Sequence, residues 1–216
     1  AHELHGGDGD DIIYGAQAYT QGIDGGTGDD TILFSKTANR WNYIDGGDGN
    51  DTITSKTTLG IANTTIYGGK GDDIINAGDG DYSIYGDTSS VRNYSDDWWW
   101  NYYGIREYSE GGNDTITGGA GNDSIWGGYG DDIINAGDGN NTVYGGDGND
   151  SLTGGSGVDV IEGGEGNDIF QGNGGNDIYY GYTTTSTDSN TSAVDTLILS
   201  GAHSDYAISR VSNDTF

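Results

Sequence analysis

Large apolar residues recur every nine positions over most of the chain, separated by glycine, aspartate and asparagine. From Gly118 seven nonamers run without a break, GGAGNDSIW, GGYGDDIIN, AGDGNNTVY, GGDGNDSLT, GGSGVDVIE, GGEGNDIFQ and GNGGNDIYY, ending at Tyr180. The block SEGGNDTIT from Ser109 keeps the same frame, full copies begin at Gly6, Gly25, Gly46 and Gly68, and a weaker AGDGDYSIY begins at Ala77. The template is GGxGxDxUx, with U a large apolar residue. Positions seven to nine read as a three-residue strand in which only the middle side chain points inward. That position holds Ile13, Ile32, Ile53, Ile75, Ile84, Ile116, Ile125, Ile134, Val143, Leu152, Ile161, Phe170 and Tyr179, so the expected core is one apolar residue per nonamer.

Glycines at positions one, two and four permit positive φ and close backbone approach, so a six-residue turn can aim several carbonyl oxygens at one point. Aspartate at position six adds a carboxylate. A flexible cage of hard oxygens without nitrogen or sulfur suits Ca2+ and no softer metal. Two nonamers make one coil of a flattened parallel solenoid, an all-β fold whose turns on one edge lie 18 residues apart in the uninterrupted stretch.

Spacing then separates the two edges. The first four full motifs are 19 to 22 residues apart, about one coil, and the segments between them keep an inward apolar residue (Ile23, Ile44, Ile66) but lack the turn signature. One edge is expected to bind metal along the whole rod and the other to carry metal-free loops in its first half. Edge one takes the turns starting at 6, 25, 46, 68, 109, 127, 145 and 163, and edge two those at 118, 136, 154 and 172. The turn near Tyr82 is doubtful, because Tyr82 replaces the aspartate. Parity requires the 23 residues from Gly86 to Tyr108 to bulge out as a loop without adding a turn.

The same register aligns Tyr67, Tyr85, Trp126, Tyr144, Glu162 and Tyr180 on one sheet face, and Thr54, Asn76, Thr117, Asn135, Thr153 and Gln171 on the other. Rings spaced by the strand separation of about 4.8 Å can stack on one another and stabilise a thin sheet, or offer a platform for sugar rings. The insertion GDTSSVRNYSDDWWWNYYGIREY adds a second aromatic cluster, with Trp98, Trp99, Trp100, Tyr102 and Tyr103 beside acids and amides. These residues, with Trp126, are the candidate contacts for a carbohydrate or another cell-surface ligand. The alternative is that the loop's rings fold back over a sheet face.

Composition makes the metal essential rather than decorative. Of 216 residues, 35 are Asp or Glu and 7 are Lys or Arg, a net charge of −28, and Leu, Ile, Val and Phe together supply about 17%. Such a chain lies in the compositional range of disorder and cannot offset its own chain entropy with so thin a core. Metal binding must supply the missing free energy. The acids are 30 Asp against 5 Glu, which points to a geometric need for the shorter side chain. The charge excludes a nucleic-acid binder. The absence of Cys excludes disulfides and thiolate sites, and three scattered histidines argue against zinc. No apolar run is long enough to span a membrane. Catalysis is not expected in this chain: there is no GxSxG elbow, no HExxH and no phosphate-cradling GxxxxGK[ST], and carboxylates held by Ca2+ are poor general acids.

Over residues 6 to 180 the sequence resembles the RTX (repeats-in-toxin) hemolysin-type calcium-binding family, with twelve near-complete copies of the motif in frame. The resemblance implies a right-handed parallel β-roll with Ca2+ between successive turns of an edge, which at one oxygen cage per gap makes about ten ions. Its ligands would be turn carbonyls and the position-six carboxylates, here Asp11, Asp30, Asp51, Asp73, Asp114, Asp123, Asp132, Asp150, Asp159, Asp168 and Asp177. Residues 1–180 would form the roll, with the aromatic insertion at 86–108. Residues 181–216 would form a C-terminal flanking segment that caps the open end, with strands expected in DTLILSG and SDYAISRV. The resemblance also implies a module of a bacterial protein exported by the type I secretion machinery and working outside the cell. A large adhesin attached to the cell surface is the expected host; a secreted protease or lipase, or a mannuronan epimerase, is the alternative. The chain opens on Ala1 without a leader, so it is expected to be part of a longer protein, with the secretion signal beyond Phe216.

Overall fold

The computed structural model describes residues 2–15, 20–35, 42–56, 64–87, 111–180 and 196–198. All their regular elements are strands, numbered in chain order, and they divide into two nine-stranded sheets of parallel neighbours. The odd-numbered sheet contains β1 (His2–Asp8), β3 (Thr20–Thr27), β5 (Asn42–Asp48), β7 (Thr64–Lys70), β9 (Tyr82–Asp87), β11 (Ser124–Tyr129), β13 (Thr142–Asp147), β15 (Val160–Glu165) and β17 (Ile178–Tyr180). The even-numbered sheet contains β2 (Ile12–Gly15), β4 (Thr31–Phe34), β6 (Thr52–Ser55), β8 (Ile74–Asn76), β10 (Thr115–Ala120), β12 (Ile133–Asp138), β14 (Ser151–Ser156), β16 (Ile169–Gly174) and β18 (Thr196–Ile198). Successive strands alternate between sheets, so two nonamers complete one coil of a parallel β-roll.

The register follows the nonapeptide frame. In the even-numbered sheet Ile53 faces Ile75, then Ile116, Ile134, Leu152 and Phe170. In the odd-numbered sheet Ile44, Ile66, Ile84, Ile125, Val143 and Ile161 form the matching file. All twelve are buried, and the two files meet to make the core. A slip of one residue would send a whole file to the solvent face, which fixes the register. Strand β8 pairs with β10, and β9 with β11, so both stacks continue directly from one side of the insertion to the other and parity is kept.

The structure departs from the sequence expectation in extent. Strands β10 to β16 run six residues rather than three, because the first turn residues keep pairing, as Gly119 does with Gly137. Strand β1 begins before the first full motif and runs into it, setting Leu4 against Ile23. The core is also wider than one residue per nonamer: Phe34, Tyr82, Ala77 and Ala136 are buried too. At the C-terminal end β18 adds to β16, and Leu197 lies opposite Phe170 over the end of the core. The second expected tail strand, SDYAISRV, lies outside the described residues.

Position nine forms the two expected ladders. Tyr67, Tyr85, Trp126 and Tyr144 stack face to face, with centroid separations of 5.2, 4.6 and 5.5 Å and interplanar angles of 23°, 5° and 10°. Thr54, Asn76, Thr117, Asn135, Thr153 and Gln171 align on the even-numbered sheet.

Candidate metal centres

Each turn is tied to its neighbours by two opposed rows of carboxylate and amide oxygens. At position six, Oδ1 accepts the N–H of the position-six residue one coil earlier. Along edge one Asp11 N–H donates to Asp30 (2.7 Å), Asp30 to Asp51 (2.7 Å), Asp51 to Asp73, Asp73 to Asp114, Asp114 to Asp132, Asp132 to Asp150 (2.8 Å each) and Asp150 to Asp168 (2.9 Å). At position five the direction reverses: Oδ1 of Asp29 accepts the N–H of Asn50 in the next coil (2.8 Å), and Asn50 accepts from Asp72 (2.9 Å). The position-five row was missed in the sequence, although that position is Asp or Asn in every copy except Val158. Only a side chain with one methylene holds its oxygen this close to the backbone of the adjacent coil, which accounts for the preference for Asp over Glu.

The second oxygen at position six carries the chemistry. Oδ2 of Asp30, Asp51, Asp73, Asp114, Asp123, Asp132, Asp150 and Asp159 is buried with no hydrogen-bond partner. Burial drives these groups toward the protonated form, against the pull of the N–H on Oδ1, and neighbouring carboxylates add to the rise. Asp73 and Asp132 are pushed up to about 9, Asp114 to about 8, and Asp51, Asp123 and Asp150 to about 7. Asp30 and Asp159 are raised as well.

What faces Oδ2 is another acceptor. A Cβ built at Gly118 would lie 2.5 Å from Ala136 O of the next coil and 2.6 Å from Asp123 Oδ2. The same test at Gly25 meets Gly46 O and Asp30 Oδ2, and at Gly127 it meets Gly145 O and Asp132 Oδ2. Carboxylate and carbonyl oxygens thus converge on the cradle that a position-one glycine leaves open. The position-one glycine is there for room. Positive φ is confined to positions two and four, as at Gly26 and Gly28 (φ 115°). Two acceptors facing each other in a buried cradle need a proton or a cation between them. Among the described residues no three His, Cys, Asp or Glu side chains gather into a metal site. A cation between turns would therefore be held by one or two carboxylates completed by backbone carbonyls, an all-oxygen set that fits Ca2+.

The remaining site residues fall unevenly. Asp11 and Asp177 belong to the terminal turns and are only partly buried, and Tyr179 donates its hydroxyl to Asp177 Oδ2 (3.2 Å). Asp168 is buried in the last edge-one turn. Trp126 lies between Tyr85 and Tyr144 with both ring faces covered, which is the sheet-stabilising arrangement. Trp98, Trp99, Trp100, Tyr102 and Tyr103 lie outside the described residues, as do the edge-two loops of the first half. One turn is discontinuous. The frame from Ser109 placed the position-one residue after the insertion, and the insertion itself from Gly86, yet Gly86 and Asp87 end β9. A Cβ at Gly86 would meet Asp114 Oδ2 and Gly127 O, so Gly86 is the position-one residue of the turn that Asp114 completes. Asp87 fills position two and closes the break, accepting from Gly112 N–H (3.1 Å) and Tyr129 N–H (2.6 Å).

A two-sheet parallel roll with buried, cation-seeking oxygens between its turns is the architecture of a calcium-binding nonapeptide solenoid. The chain matches the RTX calcium-binding nonapeptide repeat over residues 3–17, 39–55, 60–88 and, in overlapping segments, 108–143, 126–161 and 153–182. These segments span more than half of its length, and the chain belongs to that family. No curated protein matches it.

Proposed function

We propose that this module is a folding switch driven by extracellular calcium. The observation that supports it is the file of unpartnered, buried Oδ2 atoms along the edges, which the folded state tolerates only with a cation or a proton among them. Where calcium is scarce, as inside a cell, the −28 charge repels itself and the thin core cannot hold the chain together, so the chain stays extended and suited to export. Outside, at millimolar calcium, about ten ions would offset about 20 of the 28 negative charges and the coils close one on another. The position-six carboxylates from Asp11 to Asp177 are the metal residues of this reading.

The host in this reading is a large secreted bacterial adhesin exported by the type I route and attached at the cell surface, with the aromatic insertion as its contact surface. A roll whose successive coils each add length suits a stalk better than a catalytic domain. The test is far-UV circular dichroism of the chain in EDTA, then with Ca2+, with Mg2+ as control. Sheet signal should appear with Ca2+ alone. A chain already folded in chelator, or one that answers Mg2+ equally, overturns the switch. A glycan array in calcium, with Trp98, Trp99 and Trp100 each changed to Ala, tests the contact surface.

A further inference from the structure

We infer that edge two is not a continuous metal row: the turns beginning at Ala77 and Ala136 are built to close without a cation. This inference rests on the calcium reading above and divides the candidate gaps into two kinds.

Position one and position six change together along the chain. Every turn with aspartate at position six has glycine at position one, including the discontinuous pair Gly86 and Asp114. The two turns with alanine at position one lack the aspartate: Ala77 goes with Tyr82, and Ala136 with Asn141. The structure supplies the reason. A Cβ at position one enters the cradle where Oδ2 and the next carbonyl converge, as shown by the 2.5 and 2.6 Å approaches at Gly118. Both alanines carry that Cβ and are fully buried, so in these two turns the cradle is filled by the chain.

Position six completes the exchange. Asn141 keeps the backbone duty of an aspartate, accepting Asp123 N–H on Oδ1 (2.9 Å) and donating its own N–H to Asp159 Oδ1 (2.8 Å). Where aspartate would present a second acceptor, Asn141 presents Nδ2, a donor that points at Gly154 O (3.5 Å), the carbonyl of the next coil. The amide hydrogen takes the place of the cation between two oxygens. At Tyr82 the backbone N–H still donates to Asp123 Oδ1 (2.8 Å), but the side chain is a ring buried with the core that offers no carboxylate and sends its hydroxyl toward Asp79 O of its own turn (3.4 Å). Asp123 and Asp159, in the turns beginning at Gly118 and Gly154, keep an unpartnered buried Oδ2. Edge two therefore offers cation sites in alternate gaps, those after Gly118 and Gly154, while edge one offers seven in succession from Asp11 to Asp150. The total is about nine ions rather than ten.

The paired exchange is directly testable by stoichiometry. Bound calcium is measured by elemental analysis after equilibrium dialysis, and circular dichroism confirms that each chain folds in calcium. Ala136→Gly with Asn141→Asp should bind one more ion per chain than the parent; Gly154→Ala with Asp159→Asn should bind one fewer. Independently, anomalous difference maps of the parent crystallised in calcium should show no peak between the Ala136 and Gly154 turns, and one between the Gly118 and Ala136 turns. A peak in the former gap, or unchanged stoichiometry in a folded Ala136→Gly, Asn141→Asp chain, overturns the inference. If either double variant does not fold, the anomalous map decides alone. A parent that binds no calcium refutes the calcium reading instead, a result separable from the first two.

Discussion

Edge one and edge two are folded from the same nonapeptide, yet they satisfy their buried oxygens differently. On edge one each turn pairs a position-one glycine with a position-six aspartate, and from Asp11 to Asp150 Oδ2 faces a carbonyl across the gap. On edge two, past Ala77, two such turns alternate with turns that supply a tyrosine ring or an asparagine amide. The roll thus requires that every buried acceptor meet a positive group, and it is indifferent to whether that group is an ion or an N–H. Edge one pools like charges, which is the feature that the proposed calcium switch draws on. Edge two keeps some gaps neutral, with an alanine Cβ and an uncharged side chain where edge one has glycine and aspartate.

The largest effect should come from titrating the metal-free chain, in which edge one carries more of the raised carboxylates than edge two. Asp51, Asp73, Asp114, Asp132 and Asp150 on edge one are raised by burial from 3.8 to values of about 7 to 9. A folded-state value above the unfolded one means that protons favour the fold, so this contribution is fully present below about 4 and is lost as pH rises through about 7 to 9. In EDTA the sheet signal should therefore grow as pH falls from about 9 to about 4.5, while in excess calcium acid should release ions. No recovery of sheet signal in acidified EDTA would mean that the Asp rows are not what keeps the apo chain open.

Next in size is a methyl group placed in an edge-one cradle. Gly127→Ala sets its Cβ against Gly145 O and Asp132 Oδ2 and should cost about 3 kcal/mol in urea unfolding at saturating calcium. Ala136→Gly, the reverse change on edge two, should cost about 1 kcal/mol. Equal costs would erase the distinction between the edges. Replacing the position-six group comes third. Asp132→Ala should remove one ion and raise the calcium midpoint, whereas Asn141→Ala should cost about 1 kcal/mol and leave the ion count unchanged, because it removes only an acceptor and a donor. The smallest effect belongs to the aromatic face: Trp126→Ser loses two ring stacks and should lower stability by about 1 kcal/mol, seen as a lower melting temperature at fixed calcium. An unchanged melting temperature would favour ligand contact over sheet stabilisation as the role of Trp126.

Much of this was legible in the linear chain. The inward file from Ile32 to Phe170, the assignment of turns to edges, the parity across the insertion and the aromatic ladder all follow from counting nine, because a parallel roll translates sequence period directly into spatial register. The position-five ladder was visible as composition at Asp10, Asp29 and Asn50 but had no meaning until the coils were stacked, since its partner lies 19 to 22 residues away. Gly86 was misplaced for a related reason. Its turn is completed by Asp114, and a frame read along the chain cannot see a motif split by an insertion.

The repeat alone fixes the all-β roll, its coil length, its inward residues and the metal it is suited to, because each nonamer carries its own turn, ligand and core residue. Whether a given gap needs an ion depends on which oxygen of one coil faces which atom of the next. Ala136 and Gly154, Asn141 and Asp159 are unremarkable letters in a degenerate repeat. They acquire opposite roles only when stacking brings a side chain within hydrogen-bonding distance of a carbonyl in the adjacent coil.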